Sequence, residues 1–145
     1  MLLTKGREVP AATSTALSTL QANTVVVVGG TSSIDEATAK KLGSYASNGF
    51  TRLAGVDRYD TAARLAAASP SGDTVYVAVG DNFADAGSVS PVAANQGTLL
   101  LTRKDIIPSA TVRALVEAKP SRIVVVGGTR AISETVRSDL AQYIH

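Results

Sequence analysis

Two aspartates, Asp81 and Asp85, stand four residues apart in the run Gly80-Asp81-Asn82-Phe83-Ala84-Asp85-Ala86, the spacing that places two carboxylates on one face of a helix. Such a pair suggests a divalent cation, but two carboxylates without further oxygen or nitrogen ligands do not fill a coordination shell. The expectation is therefore no metal, with Asp81 as a helix cap, Asn82 and Asp85 organising the loop and Phe83 as a core anchor. A second constellation, Gly55-Val56-Asp57-Arg58-Tyr59-Asp60-Thr61-Ala62, sets Arg58 between two carboxylates just before a helical pattern. Here Asp60 is expected to cap the helix, Asp57 and Tyr59 to organise the loop, and Arg58 to pair with a carboxylate of another segment, Asp85 being an attractive partner. The other reading has Arg58, with Arg52, gripping the acidic groups of a ligand bidentately, a task suited to guanidinium.

A third pattern occurs twice, as Gly29-Gly30-Thr31 and as Gly127-Gly128-Thr129, each after an apolar run. Backbone amides near such a turn can receive a phosphate or carboxylate, and Arg130 beside the second copy strengthens that reading. The plainer alternative is a sharp exit from a strand, which paired glycines permit.

Several chemistries are excluded outright. There is no cysteine, hence no disulfide framework, thiolate zinc site or cysteine nucleophile. No GxGxxG follows a strand, no GxxxxGK[ST] or GxSxG occurs, and the only histidine is His145. Neither Asp81 with Asp85 nor Asp57 with Asp60 has the spacing of a DxD pair. Enzymatic readings therefore fare poorly, and no cofactor is expected. A net charge of +2, from 14 Lys and Arg against 12 Asp and Glu, without a basic run, points away from nucleic acid. No segment approaches a membrane span, and Met1-Leu2-Leu3 is too short for a signal peptide, so any export signal is expected in a parent chain.

The elements that must position these residues alternate in kind. Val25 to Val28, Val75 to Val79, Leu99 to Leu101 and Ile123 to Val126 are short, continuously apolar runs, as in parallel strands buried on both faces. Helical patterns cover residues 11–20, 36–46, 61–68, 83–95, 110–118 and 134–144, with Asp35 and Ser133 at N-cap positions. The expected fold class is α/β, a mostly parallel buried sheet with helices on both faces. At 45% hydrophobic residues with two Phe, four Tyr and no Trp, the core must be aliphatic.

Residues 1–47 reappear, displaced by 98 positions without a gap, as residues 99–145, with about 18 of 47 positions identical. A fixed period marks arrayed units, and this one is long enough for each unit to be a small domain. The repeat makes Met1 to Thr4 a fifth strand candidate, and the segment from Ala46 to Asp60 reads as the seam between units.

Four ordered motifs now carry a resemblance: Arg52-Leu53-Ala54-Gly55-Val56-Asp57-Arg58-Tyr59-Asp60-Thr61-Ala62, then Ala78 to Ala86, then Leu99-Leu100-Leu101-Thr102, then Val124-Val125-Val126-Gly127-Gly128-Thr129 with Ile132-Ser133. Together they resemble a cell wall binding repeat of type 2. The resemblance covers residues 52–140 as one complete repeat, with 1–47 as the second half of a preceding one, packed with the next, and 141–145 as a helix end. It implies a Toprim-like or Rossmann-like three-layer unit, a binding module and not an enzyme, that anchors a secreted protein noncovalently to the Gram-positive cell wall through an anionic secondary polymer. It also implies association with neighbouring repeats or copies of the chain, a trimer among the arrangements. Leu99, Leu100 and Leu101 fall where the family's aliphatic residues are implicated in polymer retention, with Thr98 in place of its proline. The polymer-binding candidates are thus Leu99, Leu100, Leu101, Arg52, Arg58, Gly127, Gly128, Thr129 and Arg130, and Arg103, Lys104 and Arg122 would add ionic contacts. A second reading is a small-ligand or nucleotide-binding α/β domain using the GGT and GDNF loops, and a third is a structural spacer.

Overall fold

A computed structural model describes residues 1–69, 72–81 and 97–145. They form two compact units, Met1–Gly55 and Val56–His145, each an α/β arrangement built on a parallel sheet.

The first unit runs α1 (Ala11–Leu20), β1 (Val25–Val28), α2 (Glu36–Gly43) and β2 (Phe50–Leu53). Its two strands pair in parallel, Val25 opposite Phe50 and Val28 opposite Leu53. The core gathers Val9, Leu17, Val27, Ala39 and Leu42, with Phe50 and Tyr45 packed against it. β2 is a strand where the sequence suggested only a seam. Its four residues, Phe-Thr-Arg-Leu, are too few for a local signal, and a strand this short is fixed by its ladder partner.

The second unit runs α3 (Arg58–Ala68), β3 (Thr74–Val79), β4 (Gly97–Thr102), α4 (Ser109–Ala118), β5 (Arg122–Val126) and α5 (Glu134–Ala141). All its strands are parallel in the order β4-β3-β5. Successive side chains alternate between faces, so Val75, Val77 and Val79 share one face with Leu100. That face meets Leu115 of α4 and Val136 and Leu140 of α5 in a single core. Leu99 and Leu101 lie on the other face and are half-buried. The helix expected over 83–95 lies outside the described residues.

Several hydrogen bonds recur at matching positions in the two halves of the sequence repeat. Thr13 Oγ1 donates to Leu3 O and Thr111 Oγ1 to Leu101 O. Asp35 N donates to Gly6 O and Ser133 N to Lys104 O. The helices α1 and α4 end on left-handed residues 98 apart, Gln21 (φ 47°) and Lys119 (φ 43°).

Two expectations need correction. Met1 to Thr4 forms no strand, because its counterpart β4 pairs with β3 and the first unit holds no equivalent of β3. An apolar run without a ladder partner leaves its amides to water. Helix α3 begins at Arg58 instead of residue 61, because the cap is Asp57, whose carboxylate accepts from Asp60 N at 2.8 Å, and not Asp60.

Candidate functional site

Parallel strands place all three carboxyl ends of the second sheet on one edge, where open α/β sheets take their ligands. Behind β3 comes Gly80-Asp81, behind β4 the turn Arg103 to Ile106, and behind β5 the GGT loop. The turn after β4 is fixed by Thr102, fully buried, whose hydroxyl bridges Arg103 O and Ile106 O at 3.2 Å each. Ser133 N donates to Lys104 O at 3.0 Å, which ties the loop after β5 to the turn after β4.

Arg58, in the first turn of α3, reaches this edge. Its Nη1 donates to Gly80 O at 2.6 Å and lies 3.8 Å from Asp81 Oδ1. Tyr59, 4% exposed, donates its hydroxyl to the same Asp81 oxygen at 3.3 Å, and the Arg103 guanidinium stacks 5.3 Å from its ring centre. A Cβ on Gly80 would fall 2.7 Å from Tyr59 Cε1, so only glycine lets the strand end pass that ring. Burial first, and then the Asp81 charge, raise the Tyr59 pKa above its ordinary value, so the phenol stays neutral as a donor. Arg58, Tyr59 and Asp81 are thus brought together. Asn82, Phe83 and Asp85, the hoped-for partner of Arg58 among them, lie outside the described residues.

Asp60 has a different task from the capping expected of it. It is 6% exposed and accepts from Val56 N at 3.1 Å, Arg64 Nε at 3.0 Å and Arg113 Nη2 at 3.4 Å. The Val56 amide first, then the Arg64 hydrogen bond, hold its pKa below the ordinary carboxylate value. A carboxylate with a depressed folded pKa adds stability above its unfolded pKa, about 3.9, and loses it as pH falls through the folded value. Asp60→Asn should therefore lower the melting temperature at neutral pH. The gap to the parent should close in scans taken below the carboxylate range; a gap independent of pH would refute the ionic account.

The GGT loops are turns with a left-handed first glycine, φ 124° at Gly29 and 109° at Gly127. Ser33 N and Ile34 N return to Gly30 O, and Ala131 N and Ile132 N to Gly128 O. Their amides close the loop on itself, and the helices begin later, at Glu36 and Glu134. Asp35 caps the first through Thr38 N at 2.7 Å, whereas Ser133 occupies the cap position of the second with no side-chain bond, contrary to expectation. Gly127, Gly128, Thr129 and Arg130 are all exposed. Among the described residues Arg130, Lys104 and Arg103 make no ion pair.

Arg52 belongs to the first unit, with its side chain 18% exposed. Its Nη1 donates to both Gly29 O and Ile34 O at 2.9 Å, and its Nη2 to Glu36 at 3.1 Å. Leu100, at 1% exposure, is core. Sequence reasoning passed over Arg113, Arg137 and the stacking of Arg103 on Tyr59. Only folding brings these partners together, since Arg113 and Asp60 are 53 residues apart.

The family model described as cell wall binding domain 2 (CWB2) matches residues 52–137. The N-acetylmuramoyl-L-alanine amidase LytC of Bacillus subtilis (strain 168) is 38% identical over 141 residues, 97% of this chain and 28% of that protein. An amidase enhancer of the same organism is 29% identical over 80% of this chain and 15% of its own length. Among solved structures, Cwp6 from Clostridium difficile aligns with a TM-score of 0.84 at 23% identity, covering 99% of this chain and 23% of that one. Cwp8 from Clostridium difficile aligns with a TM-score of 0.73 at 25% identity, covering 94% and 24%. The chain thus spans less than a third of each relative's length.

Proposed function

The chain belongs to the cell wall binding domain 2 family, and from that premise we propose that it holds its parent protein on the Gram-positive wall by gripping an anionic secondary polymer. The observation that carries this reading is the cationic carboxyl edge of the second unit. Arg58, Arg103, Lys104 and Arg130 come from three different segments, and of these only Arg58 is ion-paired among the described residues. Guanidinium groups suit phosphate and carboxylate, and exposed ones lose little on exchanging water for a polymer anion.

The module acts as a binder and not as a catalyst. The amidase named among its relatives is 38% identical to it over 28% of that enzyme's length, which leaves most of the enzyme for chemistry. Individual contacts at an exposed edge are weak, so retention rests on repeats or copies engaging one polymer together. The workplace is the extracellular wall, and no helix among the described residues is long and apolar enough to cross a membrane. Co-sedimentation with isolated walls, intact or stripped of secondary polymer by acid, tests the proposal. Pelleting with intact walls only is the expected result.

A further inference from the structure

Among the described residues the strand β5 stands at the edge of its sheet, with β3 on one side, and the first unit shows what fits on the other. Its counterpart β1 is flanked there by β2: Val25 N donates to Gly49 O at 3.0 Å and Gly29 N to Leu53 O at 2.8 Å. Shifted by the 98-residue repeat, these donors are Ile123 N and Gly127 N. On the β3 side the ladder uses the alternate residues, Arg122 N reaching Asp73 O, so the amides of Ile123 and Gly127 face the open edge.

A second correspondence identifies the side chain that belongs with that strand. Arg52 of β2 closes the first GGT loop by binding Gly29 O and Ile34 O and pairing with Glu36. In the second unit the matching carbonyls, Gly127 O and Ile132 O, are bound instead by Arg137, at 2.5 and 3.1 Å. Arg137 falls on Ala39 of the first unit, which is fully buried. Arg137 is thus a local stand-in, while Glu134, the match of Glu36, has no ion-pair partner among the described residues.

We propose that the open edge of β5 and the Gly127 loop form an acceptor for a parallel strand of the Phe50–Leu53 type, supplied by a following repeat, whose arginine replaces Arg137 and pairs with Glu134. Each sheet of the array then takes its fourth strand from the start of the next sequence repeat, and Arg52 marks a clamp between successive repeats. Strand addition to an exposed edge supplies main-chain hydrogen bonds, and the arginine in its carbonyl cradle supplies the register. This inference rests on the internal repeat and stands apart from the polymer reading.

The test appends a copy of the sequence from Asn48 to Val56 directly after His145, which places it in the register of the first unit because His145 falls on Ser47. Amide exchange at Ile123 and Gly127 should slow about tenfold or more relative to the original chain. Arg137→Ala should destabilise the original chain and be tolerated in the extended one. Unchanged exchange at both amides, or equal protection when the appended arginine is replaced by glutamate, would overturn the proposal. The same nine residues added as a free peptide must protect the same two amides, more weakly for want of effective concentration; protection elsewhere counts against it.

Discussion

Leu100→Ala should sharply destabilise the second unit, with the melting transition lowered and wall retention weakened in step with it. Leu100 lies 1% exposed opposite Val77 in the ladder, and its truncation leaves a cavity between the sheet and its helices. Substitutions of this kind cost about 2–5 kcal/mol, against a net stability of about 5–15 kcal/mol for a domain. Leu101→Ala, at a half-buried position on the other face, should cost less and leave a folded chain. Circular dichroism melts run beside sedimentation decide the matter. A Leu100→Ala chain that melts like the parent yet fails to bind would show the leucine itself touching polymer.

Neutralising the cationic edge should do the reverse, leaving the fold and removing the affinity. Arg103→Gln, Lys104→Gln and Arg130→Gln all fall at exposed positions, and none makes an ion pair among the described residues. Exposed ionic contacts are worth about 0.2–1 kcal/mol each, so the three together should weaken binding by between about threefold and about a hundredfold at low salt. The parent's affinity should fall towards that of the triple variant as salt screens the charges. Loss of the Arg103 stack on Tyr59 should move the melting point only slightly, since exposed cation-π contacts contribute about 0.5–1 kcal/mol. Affinity equal in parent and variant at low salt would remove this edge from the binding surface.

What the sequence disclosed follows from the range of each signal. Val25–Val28 is a strand over the expected span, because four β-branched residues closed by a glycine pair leave little choice. The α/β class and the family were legible for the same reason, as patterns written in consecutive residues. The boundary between the two units falls inside the expected seam, but the strand within it went unread because Phe50–Leu53 is a strand only through β1, 25 residues earlier. The capping of α3 was assigned to Asp60 because Asp57 and Asp60 look alike locally; what separates them is burial beside Arg64 and Arg113. Arg52 read as a ligand-gripping cation, since the two carbonyls it binds lie 23 and 18 residues away.

Retention on isolated walls, compared before and after acid removes the secondary polymers, tells whether the polymer is what the chain holds. The chain should pellet with intact walls, stay in solution with stripped ones, and be released from the former by salt. Equal retention on both would contradict the polymer reading, because the partner would then be the peptidoglycan left behind.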